Sequence, residues 1–330
     1  MKLYKLLFLI VLIISLTITL IDNSEVSNAK IDIYRFETSL FSANNSNIDE
    51  HIMEWNSELG PFFKTFNNNI LGTDLNSKNF KKDILSFIAH QDMRLAYDSV
   101  VKIYPQIDFI EIELSDNFDR YSQFFPKRAL PKVVTYFSGF NYGVVTNDSI
   151  LAIGLDFFLG KDCSLYKRLN SPEYMRFFNQ QEFIIPFCFE AIANKEFPDL
   201  SYGGDFLSQM INKGKIMYFL DEILIEYSDA DILRYSQDQL DWCYKNEKNV
   251  WSYLIDNDIL YTTDIRKFRS YIDYAPFAKG MPNDSPGRIA YFIGWNIVNA
   301  YMVNNKNVSL NQLMNNSDYH NILQKSKYKP

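Results

Sequence analysis

The segment Asp284 to Met302 reads DSPGRIAYFIGWNIVNAYM, a helix start followed by apolar residues at helical spacing. Ser285 suits an N-cap and Pro286 the first helical position, where its missing N–H costs nothing. Ile289, Phe292, Ile293, Ile297, Ala300 and Tyr301 then fall on one face, which predicts a buried amphipathic helix. Gly294 sits inside it, where Ala would be about 1 kcal/mol better, so a second backbone is expected to pass close by. The segment holds no nucleophile paired with a base.

Working outward, the chain has ample material for a core: 330 residues, 47% hydrophobic, with 27 Phe and 22 Tyr. A net charge of −7 with no long basic run argues against nucleic acid as a partner. Lys2 and Lys5 precede an apolar run from Leu6 to Ile21, short for a membrane span and suited to a signal segment. Ser27-Asn28-Ala29 offers a small-x-small cleavage site. Residues 1–29 are therefore expected to be a signal peptide or an N-terminal membrane anchor, and 30–330 one domain on the periplasmic side of a membrane. Cys163, Cys188 and Cys243 are odd in number and match no metal spacing, so they read as core thiols.

Along that domain, Ile31 to Phe36 alternates like a short strand. Helices are expected from Ile48, with Ile48, Met53, Trp55 and Leu59 inward, from Phe80 to Tyr104 with a break near His90, and through Phe109 to Phe125. Lys132–Phe137, Val144–Thr146 and Ile150–Phe157 read as a three-stranded antiparallel meander, with Gly139 and Gly143 in a hairpin turn. Ser171-Pro172 repeats the cap-then-proline start. Helices follow at 182–193, 204–220, 238–255 and from Ser309. The fold class is thus α+β: a mainly helical single domain with a small antiparallel meander on one side.

Chemistry-bearing motifs are few. His51, His90 and His320 stand apart and suit capping or solvent-facing roles; no His-Glu-x-x-His helix, nucleophile elbow or phosphate loop occurs. No metal and no cofactor is expected. Asp156, in Gly154-Leu155-Asp156-Phe157, has apolar neighbours that would desolvate it. Trp242 and Trp251 lie on an aromatic-rich helix, as core or as a carbohydrate or peptide platform. Arg288, after Ser285 and Gly287, puts a cation near a helix N-terminus, which opposes the helix dipole. Either a carboxylate clasp holding the preceding loop or a bound anion would compensate it.

Several segments resemble the gliding-motility lipoprotein B family, GldB. They are Ser138-Gly139-Phe140-Asn141, Ile153 to Gly160, Ser171 to Met175, Met210 to Lys215, Gln239 to Cys243, Asn246 to Trp251, the 284–302 segment and the closing Ser326 to Pro330. The resemblance runs from about Ile31 to the C-terminus. It implies a cell-envelope protein linked to gliding motility and to the secretion machinery coupled to it, with envelope proteins of that machinery as partners and no assigned reaction. The family is lipidated on an N-terminal Cys, and no Cys lies near the apolar run, so the run itself would anchor the protein.

The layout also resembles zinc-dependent peptidases that carry a His-Glu-x-x-His helix. Gln181-Glu182-Phe183-Ile184-Ile185 would take that place, and an amide and an alkyl group hold no zinc. The resemblance therefore implies a zincin-like scaffold without its metal. The sequence is read as a non-catalytic envelope component acting by protein–protein contact. The alternatives are a hydrolase using Asp156, Glu182 or Glu190, and a carbohydrate or peptide binder using Trp242 or Trp251.

Overall fold

The computed structural model describes residues 30–330; the expectations for residues 1–29 lie outside them. The first strand, β1 (Ile33–Arg35), passes straight into α1 (Phe36–Ser42). The next helices are α2 (Ile48–Leu59), α3 (Pro61–Phe66), α4 (Phe80–Ala89), α5 (Gln91–Ile103) and α6 (Asp108–Phe124). Gly60 separates α2 from α3, and His90 separates α4 from α5, where its Nδ1 accepts from the Asp92 amide at 3.3 Å. That is the capping role expected of it. Met53 is 67% exposed instead of inward, because Ile48, Trp55 and Leu59 share one face and Met53 falls off it.

Strands β2 (Lys132–Tyr136), β3 (Val144–Thr146) and β4 (Ile150–Gly154) complete one sheet of order β1-β2-β4-β3. The expected meander is corrected here. β1 and β2 are parallel with Ile33 opposite Val133, and β2 and β4 are parallel with Val133 opposite Leu151. Only β3 and β4 are antiparallel, Val145 opposite Ala152, across a turn in which the Asn147 side chain accepts from the Ser149 and Ile150 amides. β4 therefore lies between β2 and β3, and all five of its residues are buried, as a strand with neighbours on both edges and cover on both faces requires. Loop 138–143 is a crossover rather than a hairpin turn. Its backbone is gathered by Asp156, which accepts from the amides of Ser138 at 2.7 Å and Phe140 at 2.6 Å.

The second half is helical: α7 (Ser164–Arg168), α8 (Glu173–Arg176), α9 (Ile184–Glu196), α10 (Phe206–Ile223), α11 (Asp229–Leu233), α12 (Gln237–Asp256), α13 (Ile265–Ile272), α14 (Ile289–Asn304), α15 (Leu310–Met314) and α16 (Tyr319–Ser326). The most extensive helix pairing is α10 against α14. A Cβ on Gly294 would stand 2.0 Å from the Met210 carbonyl oxygen, and one on Gly214 would stand 2.1 Å from the Gly294 carbonyl carbon. The close approach expected at Gly294 is present, with Gly214 as its counterpart. α14 is buried on nearly every side from Ile289 to Trp295, so it is a central helix rather than a one-faced one. The expected cap is also corrected: Ser285 Oγ accepts from the Ala278 amide, and the helix begins only at Ile289 with Arg288 in the N-cap position.

The two halves share one continuous core, from Phe36 and Trp55 to Leu313 and Ile322, so the single-domain α+β reading stands. No described helix is long and apolar enough to cross a membrane.

Candidate functional site

Helix α11 opens on a capping box: Ser228 Oγ accepts from the Asp231 amide and Asp231 bonds back to the Ser228 amide. It ends after five residues because Arg234 turns left-handed, φ 56° and ψ 51°. Two residues later Ser236 caps α12 with a second box, returned by Gln239. Arg234 and Tyr235 thus form a tight corner between two helices. A facing corner is made by Gly287 and Arg288. No side chain fits at Gly287, since a Cβ there would lie 2.4 Å from the Ala275 carbonyl oxygen. Arg288 is again left-handed, φ 57°, where a residue with a side chain costs about 1–2 kcal/mol.

The corners hold each other. Arg288 Nη1 donates to the Leu233 carbonyl at 3.0 Å, and the Tyr235 hydroxyl donates to the Gly287 carbonyl at 2.9 Å. Arg288 lies over two rings, its guanidinium carbon 4.7 Å from the Tyr274 centroid and 3.9 Å from that of Tyr291. Arg234 lies 4.4 Å over Phe187 and ion-pairs with Glu190 of α9. Burial pushes the Glu190 carboxyl up, but Arg234 and Arg288 outweigh it and hold the group below the ordinary carboxylate range.

Both guanidiniums are out of solvent, Arg234 at 0% exposure and Arg288 at 2%. Even so, Nε and Nη1 of Arg234 and Nε and Nη2 of Arg288 have no hydrogen-bond partner in the protein, while Arg234 Nη2 ion-pairs with Glu190. Arg176 Nε of α8 is a further buried donor without a partner. All three arginines line one cavity of about 320 Å³, walled by Tyr174, Phe177, Phe178 and Tyr274 and floored by Ser236 and Gln239 at the start of α12. The positive end of a 20-residue helix thus borders the same cavity as the three arginines. Such an arrangement orients and holds an anion.

Of the residues singled out from sequence, Pro286, Gly287 and Arg288 line this cavity. Ser285 lies beneath, tied to Ala278. The contact expected between Arg288 and a carboxylate is a bond to a carbonyl, while the carboxylate, Glu190, pairs with Arg234. Gln181 and Glu182 sit on a 3₁₀ turn ahead of α9 and line a different, open groove of about 710 Å³ with Glu113, Asp116 and Glu226. Asp156 is fully buried under loop 138–143, and burial raises it to about 6 against the pull of its hydrogen bonds from Ser138 and Phe140. Trp251 meets the Tyr328 ring edge-on at 5.1 Å, and Trp242 is half-buried against the core. Among the described residues no group of three His, Cys, Asp or Glu side chains could hold a metal ion.

The description of the gliding motility protein GldB family matches residues 20–330, nearly the whole chain. The chain belongs to that family. Membership makes it a gliding-motility component of a lipoprotein family, which places it with the cell envelope. No curated protein and no solved structure matches the chain.

Arg234, Arg176 and Tyr274 line the cavity of this GldB-family chain and are not among the candidates read from its sequence. One signal was there to find. Ser228-x-x-Asp231 and Ser236-x-x-Gln239 are two capping boxes eight residues apart, which forces a sharp corner at Arg234. That the corner faces Gly287 and Arg288 is a matter of tertiary packing and has no local signature.

Proposed function

We propose that this GldB-family protein is a non-catalytic component of the gliding machinery and the secretion machinery coupled to it, and that it works by holding a partner. In this reading residues 1–29 are a signal segment or membrane anchor, and the described domain acts on the periplasmic side of the envelope. The supporting observation is the chemistry of the Arg234–Arg288 cavity. Three arginines with unpartnered donors line it among aromatic rings, an arrangement suited to recognition. The family supplies the setting, and the cavity supplies the mode of action.

Crosslinking and pull-down from native envelopes test the reading. The expected result is recovery of motility or secretion components with the wild-type chain and their loss with Arg288→Gln. If no such component is captured, and a deletion strain glides and secretes normally, the proposal fails.

A further inference from the structure

We propose that the Arg234–Arg288 cavity binds a carboxylate carried on an apolar or aromatic body, with the two guanidiniums as its oxyanion donors. The inference rests on the reading of this cavity as the protein's holding site and names the ligand it would take. Three observations point to it. First, buried donors of charged groups are costly to leave unpaired, and here two fully buried arginines that line one cavity each keep N–H groups without a partner. Each fork is also held in place, Arg288 by the Leu233 carbonyl and the Tyr274 and Tyr291 rings, Arg234 by Glu190 and Phe187. A planar fork held this way matches the two oxygens of a carboxylate.

Second, the charge fits a monoanion. Arg176, Arg234, Arg288 and Lys161 stand against Asp162, Glu173 and Glu190, leaving one net positive charge about the cavity. Asp162 and Glu173 are exposed at its edge, where they would repel a phosphate dianion about twice as strongly as a single carboxylate. Third, the rest of the wall is aromatic. The ring centroids of Phe178 and Tyr274 lie 4.5 Å apart, with Phe177 against Phe178, which favours a hydrocarbon or ring body behind the anionic head. A volume of about 320 Å³ takes a small organic acid or the last residues of a polypeptide, and nothing as large as a folded element.

The test uses the full chain in detergent and titration calorimetry with four probes: N-acetylphenylalanine, its carboxamide, inorganic phosphate, and a short peptide ending in phenylalanine with a free carboxylate. The acid is expected to bind, and the carboxamide and phosphate at least about tenfold more weakly. If the peptide binds more tightly than the single residue, the ligand is a chain terminus; if only the single residue binds, it is a small acid. Either result supports the carboxylate. Arg288→Gln is expected to weaken the acid about tenfold or more. Should that variant not fold, Arg176→Gln on the half-buried wall is expected to weaken it several-fold. Equal binding of acid and carboxamide, preference for phosphate, or no binding tighter than about 1 mM by any probe overturns the inference. Because purified protein is used, such a failure is separate from the envelope pull-down: partners captured without carboxylate binding would leave the gliding role standing and remove only the ligand.

Discussion

Arg288 reaches across 55 residues of chain to the carbonyl of Leu233, and Tyr235 answers through the Gly287 carbonyl, so two left-handed arginine corners lock face to face. The lock brings two guanidiniums together over a single carboxylate, Glu190. Two buried cations sharing one anion repel each other, and removing that anion leaves both uncompensated.

Glu190→Gln is therefore expected to cost about 3 kcal/mol or more, the usual penalty for breaking a buried ion pair from one side. Arg288→Met removes a cation already short of partners and keeps much of the stacking, so it should cost less. The double variant should recover part of the Glu190→Gln loss. Urea denaturation of the four proteins supplies the cycle; a double variant that loses the simple sum of the singles would show that the charges do not interact.

Gly294→Ala is expected to destabilise by about 3 kcal/mol, at the upper end for overpacking. The new methyl meets the Met210 carbonyl oxygen at 2.0 Å, and a helix backbone cannot step aside as a side chain can. Gly214→Ala should be similar for the reciprocal reason. Gly72→Ala is the contrasting case, with no atom near its Cβ and only the left-handed backbone at φ 67° to strain it. Denaturant midpoints for the three rank the packing clash against the backbone term, and a Gly294 variant no worse than Gly72→Ala would refute the close approach.

What the sequence revealed followed from local rules. Gly294 showed a close approach because a glycine inside a strongly apolar helix has few other reasons to be there. The break near His90 is legible as a cap. Strand direction was not, because Val133 and Ile153 look the same in parallel and antiparallel pairs; only the unbroken apolar run Ile150–Gly154 hinted at a central strand. The start of α14 was misplaced for a similar reason. Ser285 and Pro286 satisfy the local pattern of a cap, yet Gly287 under Ala275 and the left-handed Arg288 postpone the helix, and both depend on distant chain. The cavity is half legible: a cation at a helix start marks Arg288, whereas the two capping boxes mark a corner at Arg234 but not what that corner faces.

Trp251 and Glu247 are expected to hold the C-terminal tail. Glu247 Oε1 accepts from the Tyr328 hydroxyl at 2.7 Å and from Asn296 Nδ2 at 2.8 Å, and the Trp251 ring meets Tyr328. Glu247→Ala should free the last residues at a cost of about 1–2 kcal/mol. Hydrogen exchange would read it as faster exchange confined to α16 and the residues after it. Unchanged protection there would show that the tail is held by other contacts.

Asp156 gives the pH dependence a definite sign. Its folded value, about 6, stands above the ordinary 3.8 because burial of the charged form outweighs the hydrogen bonds from Ser138 and Phe140. Between those values the folded chain binds more protons than the unfolded one, so this group's contribution to stability falls as pH rises from about 4 to about 6 and is level on either side. The change is bounded at about 3 kcal/mol by a shift of roughly two units. Asp156→Asn removes the titration and cannot accept from every donor that the carboxylate serves, so the variant should be weaker throughout, with loop 138–143 loosened. The diagnostic is the difference between wild type and variant, which should narrow across that window as the wild type gives up its low-pH advantage. Chemical denaturation at pH 4, 5, 6 and 7 measures it directly; a gap that widens with pH would mean that the donors of loop 138–143, and not burial, set the charge of Asp156.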